Sequence, residues 1–165
     1  MWHAASGATP WQFIVSSPLS RCSEFAQQLS EKLSLPLLID ERLKEVGFGL
    51  WEGQSREMLR QQNDPNINHF YHDPVKNRPA DAEPLESFSQ RVAEALQEAI
   101  SSHQGRHILI IAHAGVIRSA LAMTLDAPLS SIYRLSIATA SLSRIQIEEH
   151  RPPTIAFIGR SLLRE

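Results

Sequence analysis

The sequence predicts an α/β fold, a three-layer α/β/α sandwich built on a mostly parallel sheet. Two patterns support this prediction. Short apolar runs alternate along the chain with longer segments whose apolar residues recur at helical spacing. The run from Ile108 to Ala112 is apolar at every position, which is typical of a parallel strand buried on both faces. A chain of 165 residues suffices for one hydrophobic core, and we expect residues 1–165 to form a single domain.

The first half of the chain predicts two strands with a helix between them. Residues 11–17 form an apolar strand that ends in two serines, and residues 37–40 form the second strand. Ser17 and Pro18 predict the start of the helix, because serine is a good N-cap and proline fits the first turn. Arg21 then lies about one turn inside the helix, where its side chain leans back over the end of the strand. A cation there is unfavourable against the helix dipole, which favours an anion-binding role over a surface arginine.

The segment that follows is mostly loop. Residues 41–53 contain three glycines and two aromatic residues, which predicts an irregular, packed loop. Glu45 and Glu52 lie there beside bulky apolar groups, and each is a candidate general acid, with a solvated carboxylate as the alternative. Residues 56–62 predict a short polar helix, and residues 63–83 predict a long loop of the kind that forms a lid or a substrate wall.

The second half predicts a long helix, a central strand with its own helix, and two further strands. Pro84 opens the long helix and Gly105 ends it. Residues 136–148 alternate in hydrophobicity, as in a half-exposed strand for which an antiparallel direction is an option, and residues 154–158 predict an edge strand.

His113 stands where the central strand ends and the next helix begins. The free N–H groups of that helix start point at the same spot and favour an anion. His113 is therefore either a core histidine that closes the strand or a functional group beside a bound anion, and its residue type alone does not decide between them.

Composition and spacing argue against several other classes of protein. The net charge is −2 and no cluster of lysine or arginine occurs, so we expect neither nucleic acid nor membrane as a partner. Cys22 is the single cysteine, which fits a reducing compartment, and we expect a cytoplasmic location. His69 and His72, beside Asp73, have the spacing of metal ligands, but no third ligand accompanies them and we interpret them as solvated.

Three segments of the chain match recurring motifs. Residues 16–21 (Ser-Ser-Pro-Leu-Ser-Arg) resemble S-S-x-L-x-R, residues 43–53 resemble L-x-E-x-x-x-G-x-W-E-G, and residues 112–118 (Ala-His-Ala-Gly-Val-Ile-Arg) are similar to S-H-G-G-V-I-R. Together they resemble the histidine phosphatase superfamily, to which cofactor-dependent phosphoglycerate mutase belongs. Ala82-Glu83-Pro84 stands where the family usually has G-E-S. Within the superfamily, residues 48–52 and 88–92 look most like the α-ribazole-phosphate phosphatases of the cobalamin pathway.

This resemblance implies a phosphoglycerate mutase-like fold and a phosphomonoester hydrolase, with α-ribazole 5′-phosphate as the expected substrate. Arg21 would clamp the phosphoryl oxygens, and His113 would donate to the charge of the transition state. Glu45 would protonate the leaving alkoxide and then deprotonate water, and the Ala114 N–H would add a donor. No metal or other cofactor is implied, and Arg118 is expected to be structural. The expected partner is a small-molecule phosphate ester, and a homodimer is left open.

The family's nucleophile is a histidine in an R-H-G-x-T motif at the end of a first strand, and residues 1–165 contain no such motif. Arg106-His107 begins a strand, and His3 lies in a polar terminus with no strand to fix it. We therefore expect an N-terminally shortened phosphatase that lacks the usual first strand beside the His113 strand. The alternatives are a remnant that binds phosphate without turnover and a mutase-like or broad-specificity phosphatase. A mutase is disfavoured because residues 63–83, although long for a loop, are too short to close over a bound intermediate.

Overall fold

The computed structural model describes residues 9–64 and 66–161, in which three parallel strands form the main sheet. The strands are β1 (Phe13–Ser16), β2 (Leu37–Ile39) and β3 (Ile108–Ile111), in the spatial order β2-β1-β3. Four α-helices and a hairpin of two strands accompany this sheet in the described part of the chain. They are α1 (Ser20–Leu33), α2 (Arg56–Gln61), α3 (Leu85–Ser102), α4 (Ala114–Thr124), β4 (Ser141–Gln146) and β5 (Thr154–Ser161).

Helices cover both faces of the sheet, as the sequence predicts. Successive side chains of β1 point to opposite faces. Ile14 is fully buried in a cluster with Ala26 of α1 and Leu109 of β3. Val15 is buried on the other face in a cluster that includes Phe88 of α3 and Val116 of α4. The mixed α/β prediction, with a parallel sheet between two layers of helix, is confirmed.

The last two strands are antiparallel, the option that the sequence leaves open for residues 136–148. β4 and β5 pair with each other and form a separate two-stranded sheet, so β5 does not lie at the edge of the main sheet. The pairing shifts register between Leu142 and Ile145, and the Ser143 hydroxyl accepts a hydrogen bond from the Gly159 N–H at 3.1 Å. Leu142 packs against the cluster that contains Ile14 and Ala26, so the hairpin contacts the sheet through side chains and not through strand pairing.

The start of α1 also differs from the prediction. The helix begins at Ser20, with Leu19 at the N-cap position and no side-chain cap. Ser17 lies too early in the chain to cap this helix, and its hydroxyl accepts from the Leu19 N–H at 3.3 Å while it forms a hydrogen bond with His113. Arg21 is consequently the second residue of α1 and not one turn inside. By contrast, α2 and α3 lie where the sequence predicts them, and α3 starts directly after Pro84.

The long loop between β2 and α3 is packed and not extended. Its buried residues Trp51, Leu59, Ile67 and Phe70 form a third apolar cluster, against which Phe48 and Tyr133 also pack. The Trp51 indole donates to the Asp64 carboxylate at 3.0 Å. Gly49 has φ +53°, and a Cβ at this position would collide with the backbone of residues 80–82, so the close approach of these two loop segments requires glycine.

His69 and His72 are exposed in this loop. Within residues 9–64 and 66–161, no group of three or more His, Cys, Asp or Glu side chains is arranged to hold a metal ion. Among the helices of the same residues, none combines the length and the apolar character needed to cross a membrane. His3 lies outside the described residues.

The apolar cluster that contains Val15 and Phe88 leads to a prediction about stability. Phe88 is fully buried there, so Phe88→Ala should lower the free energy of unfolding by about 3–5 kcal/mol. Phe25 on α1 is 56% exposed, and Phe25→Ala should change the same quantity by no more than about 0.5 kcal/mol. Urea denaturation of both variants measures the difference. Equal effects would show that the cluster around Phe88 is not the core.

Candidate active site

The candidate site lies at the carboxyl ends of β1 and β3, which are neighbours in the sheet. Ser16 ends β1, Ser17 follows it, and both are fully buried. His113 follows β3 and occupies the N-cap position of α4. Because the two strands are parallel and adjacent, their carboxyl ends open at the same edge of the sheet, where α/β proteins bind ligands.

Arg21 and His113 meet at this edge. The Arg21 Nε donates a hydrogen bond to His113 Nδ1 at 3.2 Å, and Ser17 Oγ lies 2.7 Å from His113 Nε2. The predicted convergence of the guanidinium and the imidazole is confirmed. Since Nδ1 accepts from Arg21, the proton of the neutral ring belongs on Nε2, which donates to the Ser17 hydroxyl.

The imidazole of His113 is only 6% exposed and its pKa is shifted. Burial lowers the pKa of His113 below its ordinary value of 6.5, and the positive charges of Arg21 and Arg91 add to this effect, while Glu45 opposes it. His113 is therefore neutral at neutral pH. An anion bound against the ring would favour its protonated form, so the site couples anion binding to proton uptake.

The Arg21 guanidinium has no ionic partner in the described part of the chain. None of the ion pairs among residues 9–64 and 66–161 includes it. The side chain is exposed and sits in the first turn of α1, which contains no acidic residue. A cation at a helix N-terminus without a counter-ion is electrostatically unfavourable, and an oxyanion at this place would remove that cost.

Glu45 approaches the same edge from the loop after β2. Its carboxylate accepts from the Val46 N–H at 3.0 Å and from the Gly115 N–H, in the first turn of α4, at 3.2 Å. A Cβ on Gly115 would collide with Glu45 Oε1, so a side chain at position 115 would displace the end of the Glu45 side chain. Ala114 is the first residue of α4, and its N–H has no acceptor within its own helix.

The structure distinguishes the two candidate carboxylates of this loop. The Glu52 carboxylate turns away to accept from the Phe48 N–H at 3.1 Å, whereas Glu45 lies against α4.

Arg91 and Glu83 fix the backbone around Glu45, which the sequence analysis did not foresee. Arg91 donates two hydrogen bonds to the Glu83 carboxylate, at 2.7 and 2.8 Å. It also donates to the carbonyls of Arg42, Lys44 and Glu45. Burial raises the pKa of Glu83, but the hydrogen bonds from Arg91 and from the Gly47 N–H together bring it below its ordinary value. The signal in the sequence was that Glu83 stands at the position of the glutamate in the family's G-E-S motif.

Three further side chains complete the surroundings of His113. Ser17 orients the imidazole, and the pair of serines at the end of a strand was the signal for it. The Cys22 thiol lies 3.7 Å from His113 Nε2, and burial raises the pKa of this thiol, so it stays protonated. Arg118 donates to the Leu135 carbonyl at 2.9 Å and stacks over the Tyr133 ring, as expected of a structural residue.

The Arg106-His107 pair lies at the opposite end of β3. The His107 carbonyl accepts from the Gln12 N–H at 2.9 Å, just before the strand begins. This pair is therefore remote from the edge that holds His113.

Comparisons with known proteins support a common origin with phosphatases. A model of the histidine phosphatase superfamily (branch 1) matches residues 2–158. The chain is 30% identical over 148 residues to a Hydrogenobacter thermophilus protein provisionally named phosphoserine phosphatase 2, covering 89% of this chain and 71% of the relative. It is 24% identical over 147 residues to the adenosylcobalamin/alpha-ribazole phosphatase of Escherichia coli K12, covering 89% of this chain and 72% of that enzyme.

Two further matches define the extent of the similarity. The solved structure of Bacillus stearothermophilus YhfR has a TM-score of 0.83 and 27% identity, over 93% of this chain and 76% of that one. A bifunctional protein of Mycobacterium tuberculosis is 30% identical over 79% of this chain, which spans 35% of that relative's length.

The shifted pKa of His113 predicts how stability depends on pH. Below the ordinary value of 6.5 the unfolded imidazole takes up a proton that the folded one does not. The free energy of unfolding therefore decreases as pH is lowered through this window, and this group contributes at most about 1.4 kcal/mol per pH unit. His113→Gln lacks this contribution, so the difference in unfolding free energy between the wild type and the variant should shrink as pH falls from about 8 to about 5. A constant difference would contradict the shift.

The contacts of Arg91 predict a second stability effect. Arg91→Gln removes the charged hydrogen bonds to Glu83 and should lower the free energy of unfolding by about 2–3 kcal/mol. Arg106→Gln changes an exposed arginine and serves as the matched control, with an expected change below about 0.5 kcal/mol. Urea denaturation compares the two, and an Arg91 effect no larger than the control would rule out its structural role.

Proposed function

This chain belongs to the histidine phosphatase superfamily (branch 1), as its three motifs predict, and from this membership we propose that it binds and hydrolyses small phosphate monoesters. The phosphoglycerate mutase-like fold of the relatives is shared. The relatives are phosphatases, and enzymatic function follows from that resemblance. We further propose that residues 1–165 act as one domain of this family.

The observation that carries the proposal is the contact between Arg21 and His113. The positive guanidinium of Arg21 and the titratable imidazole of His113 meet at 3.2 Å at the carboxyl edge of a parallel sheet. No carboxylate within the described residues forms an ion pair with Arg21. A phosphoryl group supplies the missing negative charge and has enough oxygens to accept from Arg21, from His113 and from the Ala114 N–H.

The proposed roles follow from these positions. Arg21 binds the phosphoryl oxygens in a fork, and His113 stabilises the charge that develops on them during transfer. Glu45, held at the N-terminus of α4, is placed to protonate the alkoxide as the P–O ester bond breaks and the phosphoryl group passes to a nucleophilic histidine, and then to take a proton from the water that attacks this phosphohistidine. The family's phosphohistidine step further requires the histidine of an Arg-His-Gly motif, which residues 1–165 do not contain.

Two classes of ester are candidate substrates. α-Ribazole 5′-phosphate is supported by the resemblance of residues 48–52 and 88–92 and by the 24% identity to the Escherichia coli enzyme. A phosphorylated hydroxy or amino acid is supported by the 30% identity to the Hydrogenobacter relative.

A second candidate function is phosphate-ester binding without turnover, favoured by the absence of Arg-His-Gly from residues 1–165. An assay with p-nitrophenyl phosphate separates the two functions. Turnover that disappears in His113→Ala would exclude the binding-only function. Binding without release of p-nitrophenol would exclude hydrolysis by residues 1–165. Isomerisation of phosphoglycerate would reveal the mutase alternative.

The Arg21 clamp makes a binding prediction. Arg21→Ala should weaken the binding of inorganic phosphate at least about tenfold, because a charged hydrogen bond contributes about 1.5–3 kcal/mol. Lys32→Ala removes an exposed cation from the last turn of the same helix and should leave the affinity unchanged. Isothermal titration calorimetry measures both. Unchanged affinity in Arg21→Ala would refute the clamp and, with it, the proposed function.

A further inference from the structure

The outer side of β2 is the exposed edge of the main sheet. β2 lies at one end of the order β2-β1-β3 and pairs with β1 on its other side. Its Leu38 and Ile39 are 47% and 42% exposed, whereas the residues of β3, at the other end of the sheet, are buried or half-buried. Two neighbouring apolar side chains this exposed on an edge strand indicate a surface that another polypeptide covers.

The pairing with β1 determines which backbone groups of β2 are free. The Pro36 carbonyl accepts from β1 at 2.9 Å, and the Asp40 N–H donates to β1 at 2.9 Å. Since the N–H and C=O groups of successive strand residues point to alternate sides, Leu38 also faces β1. Leu37 and Ile39 therefore direct their N–H and C=O groups to the open side, where no described strand lies.

The helices that cover the sheet leave this edge open on both faces. On one face, Ile39 lines a groove whose other walls are polar residues of α1, namely Ser23, Glu24, Gln27 and Gln28. On the opposite face, Leu38 lines a small cleft together with Glu98 and His103, from the last turns of α3 and its C-cap. A strand laid along β2 can thus place its alternate side chains against both faces of the edge.

β2 also lacks the features that usually prevent an edge strand from pairing with another chain. None of its three residues is charged, and its register with β1 is continuous. By contrast, β5 in the hairpin contains Arg160 and has Gly159 at φ +65°, beside a shift in register. Pro36, which has no N–H, faces β1 and does not interrupt the outer side. The edge of β2 is therefore open to strand addition.

We propose that β2 pairs in antiparallel fashion with β2 of a second copy of this chain, around a two-fold axis at Leu38. Leu37 of one copy then lies opposite Ile39 of the other, and the free N–H and C=O groups of both residues form hydrogen bonds between the chains. Asp40 of one copy stands opposite the uncharged Pro36 of the other, so no like charges meet. A second copy suits this edge because its own β2 is apolar on both faces.

This pairing produces a closed dimer. It joins the two main sheets into one continuous sheet and uses the free edge of β2 in both copies. A two-fold contact of this kind offers no further β2 edge for a third copy, so it does not grow into a fibre.

Cysteine substitutions test the register. In the proposed dimer the two Leu38 residues form a non-hydrogen-bonded pair with Cα atoms about 4.5 Å apart, a separation that a disulfide spans. Leu38→Cys should therefore give a covalent dimer under mild oxidation, seen by non-reducing electrophoresis. Ile39→Cys is the matched control, because its two copies are offset by two positions and their Cα atoms lie beyond the about 7 Å limit for a disulfide. The wild type should stay unlinked, since Cys22 is buried.

Sedimentation equilibrium of the whole chain tests the dimer itself. The wild type should have twice the mass of a single chain. Leu38→Lys places two like charges side by side at the two-fold axis and should give a monomer. Leu125→Lys makes the same change at a leucine that is 58% exposed at the end of α4, and it should leave the dimer intact. Urea denaturation of both variants establishes that they are folded.

Several results would overturn the proposal. A wild type that is monomeric at every protein concentration excludes the dimer. A dimer that persists in folded Leu38→Lys uses another face of the molecule. Cross-linking that is as strong in Ile39→Cys as in Leu38→Cys contradicts the register, and assemblies that grow beyond two copies contradict the closed two-fold contact.

Discussion

The parallel pairing of β1 with β3 is the constraint on which the rest of the site depends. It brings Ser17 and His113, 96 residues apart in the chain, to within 2.7 Å of each other. Arg21 reaches the same imidazole because α1 begins four residues after β1 ends. The clusters on the two faces of the sheet fix this pairing from both sides, so the geometry of the site is a consequence of core packing.

Charge is distributed unevenly around His113. Burial is the main cause that lowers the pKa of the ring, and the positive charges of Arg21 and Arg91 add to it, so the neutral imidazole is the stable form. The nearby negative charge, Glu45, is anchored to backbone N–H groups and forms no ion pair with a described residue. Arg91 serves the opposite purpose from Arg21. It is fully engaged with Glu83 and three carbonyls, and it stiffens the loop without offering a free donor to a ligand.

The sequence predicted the central strand, its helix and the meeting of Arg21 with His113, because each depends on local patterns and on the common edge of parallel strands. It did not predict the separate hairpin, since the alternation of residues 136–148 reports burial on one face and not the identity of the pairing partner. Nor did it predict the Arg91 contacts, which join a helix face to loop carbonyls 46 to 49 residues away. Ser17 was misassigned as the helix cap because the helix starts later, at Ser20; its hydroxyl keeps a local contact with the Leu19 N–H and adds a buried long-range contact with His113.

Gly115 links two segments of the chain that are distant in sequence. Its lack of a side chain leaves the space that the Glu45 carboxylate occupies, and its N–H holds that carboxylate. An alanine at position 115 would push the Glu45 carboxylate away from this N–H, and since that carboxylate ends a flexible side chain, the cost would fall on its position and not on the backbone. The placement of the loop carboxylate is thus controlled from a helix 70 residues further along the chain, and a silent-looking methyl group there would be felt at the other side of the pocket.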